Sequence, residues 1–157
     1  MKDMKVLVIY DSVTGNTEKM AKAIVEGAKE AGADVTIKKI GEPFSLSLLQ
    51  DVNGVAFGSP TRYADTTNQM RDFLSHVESY VKNGKMSMKG RKAAIFGSYG
   101  YDGAWVFEEQ LRSYIEKIGY TVYPKVLVKV DFEIKTRQKE VLAEAKSWGK
   151  EFAQSLK

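Results

Sequence analysis

Lys5-Val-Leu-Val-Ile-Tyr10 leads through Asp11 into Ser12-Val13-Thr14-Gly15-Asn16-Thr17, and Met20, Ala21, Ile24, Val25 and Ala28 follow at helical spacing. An unbroken apolar run is the pattern of a strand buried on both faces, and the spacing beyond it is that of a helix lying on a core. The stretch reads as strand, hydroxyl-rich turn, helix. The first amides of a helix lack internal acceptors and carry the positive end of its dipole, so a turn of Ser, Thr, Asn and Gly there can wrap a phosphate. Only neutral donors are available, because the turn contains no lysine or arginine. The Gly-Lys-Ser/Thr of a Walker loop and the G-x-G-x-x-G of a dinucleotide fold are both missing, which points away from nucleoside triphosphate and dinucleotide chemistry.

Downstream, the same alternation of element types repeats. Gly32 ends the first helix, and Asp34 to Ile40 alternates apolar and polar residues as an edge strand does. Gly41 to Gln50 predicts a loop with one turn of helix. Val52 to Gly58 is a buried strand, and Thr66 with Gln69 predicts a capping box before a helix carrying Met70, Phe73, Leu74, Val77 and Val81 inward. Arg91 to Gly97 is the next strand, followed by a helix with Phe107, Leu111, Tyr114 or Ile115, and Ile118 on its inner face, closed by Gly119. Thr121 to Val130 predicts a single last strand, at an edge because Pro124 cannot donate to a ladder. Val141, Ala145, Trp148 and Phe152 mark the inner face of the final helix. Strands alternating with helices predict an α/β fold: a three-layer, doubly wound, five-stranded parallel sheet in the order 2-1-3-4-5.

At 157 residues and 43% hydrophobic, the chain is long enough for one good core, and a single domain over residues 1–157 is expected. No apolar stretch is long enough to span a bilayer, and the first residues lack the apolar segment of a signal peptide, so a cytoplasmic protein with no membrane partner is expected. With no cysteine and one histidine, His76, the chain lacks thiolate nucleophiles and most zinc or histidine-base schemes. Redox chemistry would have to come from a bound organic cofactor. Met86 and Met88 read as covering apolar surface, and His76 as structural or exposed.

In such a sheet the ligand crevice lies at the carboxyl ends of the strands, which gathers residues 11–17, 58–65 and 97–103 at one place. The first loop offers phosphate donors. The second offers a proline-stiffened turn with Arg62 and Tyr63, and the third offers Tyr99 and Tyr101 among glycines. Glycines let backbone amides approach a ring edge and tyrosines can stack on its faces, so the three loops suit a flat ring bearing a phosphate tail. A phosphoacceptor signalling domain shares the strand order but needs an acid after the third strand, where this chain has Gly58-Ser59.

Ser12-Val-Thr-Gly-Asn-Thr17 resembles the flavodoxin signature (Thr/Ser)-x-Thr-Gly-x-Thr, and the order of strands and helices resembles a short-chain flavodoxin from end to end. Gly58-Ser-Pro-Thr-Arg-Tyr63 is similar to the second FMN loop of flavodiiron proteins and of tryptophan-repressor-binding type quinone reductases. Phe96-Gly-Ser-Tyr-Gly-Tyr101 is similar to the third FMN loop of the flavodiiron flavodoxin domain. The resemblance implies one non-covalent FMN. It places the phosphate on Ser12, Val13, Thr14, Gly15, Asn16 and Thr17. One side of the ring falls to Ser59, Pro60, Thr61, Arg62 and Tyr63, and the other to Ser98, Tyr99, Gly100, Tyr101, Asp102 and Gly103. Tyr99 or Tyr101 would pack at the ring, Arg62 would either reach its pyrimidine edge or face solvent, and Gly58-Ser59 would supply a backbone response to flavin reduction.

The implied function is that of an electron carrier shuttling low-potential electrons between a reductase and an acceptor, with an NAD(P)H:quinone or FMN-dependent oxidoreductase as the alternative. The +4 net charge is unevenly placed. The loops at the predicted cofactor end hold Asp11, Glu42, Asp65, Asp102, Glu108, Glu109, Asp131 and Glu133 against one base, Arg62, while Lys82, Lys85, Lys89, Arg91 and Lys92 enter the sheet from the opposite end. An acidic rim would steer basic redox proteins to the flavin with a rate that falls as salt rises. A monomer that does not bind nucleic acid is expected.

Overall fold

The computed structural model describes residues 4–100 and 103–157. Its strands and helices alternate: β1 (Lys5–Tyr10), α1 (Asn16–Glu30), β2 (Asp34–Lys39), α2 (Leu48–Asp51), β3 (Gly54–Pro60) and α3 (Asn68–Lys82). Then follow β4 (Lys92–Tyr99), α4 (Ala104–Ile118), β5 (Thr121–Val122), β6 (Leu127–Val130), α5 (Asp131–Thr136) and α6 (Gln138–Ser155). All the strand pairings are parallel, in the order β2-β1-β3-β4-β5 with β6 also on β4, as the sequence predicts.

The side-chain period of two explains why the central strands read as continuous apolar runs. On one face Val6, Val8 and Tyr10 of β1, Ala56 of β3 and Ala94 and Phe96 of β4 pack under α1 and α6. On the other, Leu7 and Ile9, Val55 and Phe57, and Ala93 and Ile95 pack under α3 and α4. Helices α1 and α6 cross closely: a Cβ added at Gly27 would lie 1.8 Å from the Lys146 carbonyl oxygen, and one at Gly149 would lie 2.4 Å from that of Ile24. Of the two alternatives on α4, Ile115 is buried and Tyr114 only partly so. Met86 and Met88 are buried in the second cluster, and the exposed His76 lies against Tyr80 with ring centroids 5.0 Å apart.

Three expectations need correction. The single strand over 121–130 is broken, β5 pairing with Lys92–Ala93 and β6 with Phe96–Tyr99. Pro124 has no amide to give β4, and Trp148 Nε1 donates to the Lys125 carbonyl at 2.8 Å, holding the chain off the ladder. Residues 131–134, read as loop, begin the short helix α5. The cap of α3 is Thr67, one residue after Thr66: its hydroxyl accepts from the Met70 amide at 3.2 Å and donates to a carboxylate that Thr66 does not meet.

Candidate functional site

Residues 11–15 form the turn between β1 and α1. The Asp11 amide donates to the Gly58 carbonyl at 3.0 Å, extending the ladder by one residue past β1. The Asp11 side chain is buried, with Oδ1 accepting from the Ser12 amide at 2.9 Å and Oδ2 from the Thr67 hydroxyl at 2.6 Å. Ser12 Oγ accepts from the amides of Gly15 at 3.1 Å and Glu18 at 3.3 Å, and Gly15 sits at φ +96, a left-handed conformation that costs side-chain-bearing residues about 1–2 kcal/mol. Among the described residues no acceptor meets the amides of Val13, Thr14, Asn16 or Thr17. Four backbone donors at a helix N-terminus are thus available to an anion.

The other two loops are bonded to this turn. Thr17 Oγ1 and Ser98 Oγ lie 2.9 Å apart and buried, the Thr61 amide donates to the Ser98 carbonyl at 2.8 Å, and Asn16 Nδ2 donates to Asp131 Oδ1 at 3.0 Å. Ser59 Oγ accepts from the Thr67 amide at 3.2 Å and donates to the Pro60 carbonyl at 2.8 Å. The side chains of Asn16 and Thr17 are therefore engaged within the protein, whereas Thr14 is exposed and Ser12 partly so. Ser59 and Pro60 complete β3, and Ser98 and Tyr99 complete β4, so these expected loop residues are strand ends. Within the Gly58-Ser59 pair expected to respond to the flavin, the Gly58 carbonyl accepts from the Asp11 amide. The Thr61 hydroxyl is buried and has no hydrogen-bond partner among the described residues, an open donor and acceptor beside the first turn.

Residues 8–148 match the flavodoxin family. The chain belongs to that family. It is similar to a protein named NAD(P)H dehydrogenase (quinone) from Archaeoglobus fulgidus, 31% identical over 118 residues that cover 60% of this chain and 61% of the relative. A second similarity, 36% over 106 residues, is to an oxidase from Methanothermobacter marburgensis and covers 66% of this chain but 26% of that protein. The chain thus spans less than two thirds of the curated relatives it matches. Among solved structures, a flavodoxin from the domain Archaea superposes with a TM-score of 0.82 at 28% identity, covering 98% of this chain and 99% of the other. As a flavodoxin-family protein the chain is an FMN flavoprotein. Among the described residues no helix is long and apolar enough to cross a membrane.

In this flavodoxin-family chain the first and second loops meet at an open groove of about 610 Å³, lined by Val13, Arg62, Tyr63 and the start of α3. Arg62 and Asp65 exchange backbone hydrogen bonds of 2.7 and 2.9 Å, closing a two-residue turn in which Tyr63 and Ala64 have φ +51 and +61. Arg62 and Tyr63 are exposed, Tyr99 is half-buried and Gly100 is exposed. Tyr101 and Asp102 lie outside the described residues. Gly103, at φ +84, packs against Ala64, which brings the third loop to the second.

Sequence reasoning missed what the acids do. Asp11, Asp65 and Asp131 accept hydrogen bonds from Thr67, from Arg71 and Tyr114, and from Asn16, so they tie the loops together rather than form a free rim. Burial raises the Glu108 carboxyl above its ordinary value. Burial, then the hydrogen bond to Glu18, pushes the Tyr10 phenol up to about 12. Sequence reasoning also missed that the exposed large hydrophobic residues among those described, Val13, Tyr63, Trp105 and Phe132, each follow the carboxyl end of a strand.

Proposed function

We propose that this chain is a one-electron carrier whose FMN phosphate is taken by the amides of Val13, Thr14, Asn16 and Thr17 with the hydroxyls of Ser12 and Thr14. The ring would lie between Ser59, Pro60, Thr61, Arg62 and Tyr63 on one side and Ser98, Tyr99, Gly100, Tyr101, Asp102 and Gly103 on the other. Bound FMN supplies reversible one- and two-electron redox chemistry, and the protein supplies position and electrostatics. The observation that carries this reading is the set of four unpaired amides in a turn without a cation. Titrating the FMN-free protein with FMN and with riboflavin tests it. Affinity at least about a hundredfold higher for FMN, some 2.7 kcal/mol, is expected, and equal affinities would contradict it.

Val13, Tyr63, Trp105 and Phe132 are exposed and follow the carboxyl ends of their strands, and Glu109 and Glu133 stand on the same helices as Trp105 and Phe132. An apolar centre with acidic neighbours suits redox proteins with an apolar contact and a basic rim. A second reading, NAD(P)H:quinone reduction, rests on the 31% identity to the Archaeoglobus fulgidus protein of that name. Steady-state oxidation of NADPH by quinone with this protein alone would decide for that reading.

A further inference from the structure

The turn Arg62-Tyr63-Ala64-Asp65 belongs to the class of two-residue connections that need positive φ at both central positions, normally supplied by Asn-Gly or Gly-Gly. Here Tyr63 at φ +51 and Ala64 at φ +61 carry side chains, so both positions are strained. The two backbone hydrogen bonds that close the turn lie at an exposed site, where water competes for both groups, so they are weak opposition to that strain.

The rest of the restraint converges on Asp65. Its Oδ1 accepts from the Thr66 amide at 2.7 Å, and its Oδ2 accepts from Tyr114 Oη and from Arg71 Nη1, each at 2.9 Å. Arg71 is exposed and also bonds Asn68, so its ion pair with Asp65 is screened by water. Tyr114 is different. It is half-buried on α4, whose neighbouring Phe107, Leu111, Ile115 and Ile118 are buried in the core, and its phenol is raised above its ordinary value by burial and then by Asp65, which keeps it a donor. The same helix starts at Gly103, where an added Cβ would lie 3.1 Å from that of Ala64, so the two loops approach closely here. One rigid element thereby holds the strained turn by its carboxylate and seats it against the third loop.

We propose that Tyr114 is a positioning residue that keeps the Arg62–Asp65 turn closed beside the FMN site. The proposal rests on the FMN reading of that site. Arg62 and Tyr63 line the groove only while the turn is closed, so loosening the clamp weakens cofactor binding without touching the phosphate turn.

The test uses trypsin, which cuts after Arg62 only when the turn opens, together with FMN titration. In FMN-free Tyr114→Phe, cleavage of the Arg62–Tyr63 bond should rise about tenfold while cleavage after Lys22 and Arg112 stays within twofold, and the FMN dissociation constant should rise about three- to tenfold. Adding Ala64→Gly removes one strained residue and should restore both values to within about twofold. Asp65→Asn should move both readouts in the same direction and covers the case in which Tyr114→Phe folds poorly. Uniform acceleration at every tryptic site, unchanged cleavage at Arg62, or no rescue by Ala64→Gly would each overturn the clamp. Failure of the unmutated protein to bind FMN would overturn the cofactor reading while leaving the cleavage result to stand or fall by itself.

Discussion

The phosphate turn and the ring-side turn lie at the same end of one sheet and hold their backbones in opposite ways. Residues 12–17 put glycine at their one positive φ, and a Cβ there would meet nothing within 4 Å, so the conformation carries no strain to be opposed. Residues 62–65 put Tyr63 and Ala64 at positive φ and depend on Asp65, Arg71 and Tyr114 to stay closed. Both turns carry long-range ties, but the backbone of the first is folded by its own Gly15 and by Ser12 Oγ on the Gly15 and Glu18 amides, whereas the second has no such glycine and is held through Tyr114, 49 positions from Asp65. A site can thus join a locally encoded half, which suits an invariant phosphate group, to a tertiary half whose shape is set by a neighbouring helix.

The tie between the two turns is the place where this contrast breaks most visibly. Asp11→Ala leaves the Ser12 amide and the buried Thr67 hydroxyl without their acceptor, at an expected cost of about 2–3 kcal/mol in urea unfolding, and loosens the first turn together with the cap of α3 that follows the second. Gly15→Ala should cost about 1–2 kcal/mol by the same measurement, all of it conformational, and should raise the FMN dissociation constant. Ala64→Gly is the reciprocal change and should raise stability by about 0.5–1 kcal/mol; a loss would mean that the second turn is not strained. The smallest effect belongs to α4. The Glu108 carboxyl is raised above 4.5 by burial, so folding favours its protonated form and ionisation costs stability as pH rises through the raised value. Glu108→Gln should therefore stabilise at pH 7 by less than about 0.5 kcal/mol, because the group still faces water, and the gain should vanish below pH 4.5 in thermal melts across that range.

The legible part of the molecule follows the same division. Strand runs, helical spacing and the Ser12–Thr17 turn are each written in contiguous residues, so order, layers and phosphate turn could be read directly. Nothing in the types Tyr63 and Ala64 signals a left-handed backbone, and no local pattern links Asp65 to Tyr114. Thr66 and Thr67 are equally good caps by residue type; the bond to Asp11, 56 positions earlier, chooses the second. Pro124 marks where the last strand weakens, but the donation from Trp148 to Lys125 is what holds the break. The acids at the cofactor end were countable, yet the use of Asp11, Asp65 and Asp131 as ties between loops appears only when the loops are brought together.

Anaerobic reductive titration of the FMN-reconstituted protein, followed by visible absorbance, tests the carrier assignment most directly. Binding of one FMN per chain followed by reduction in two resolved one-electron steps is the predicted result. Failure to bind FMN, or a single two-electron reduction coupled to turnover of NADPH and quinone by the protein alone, would contradict it.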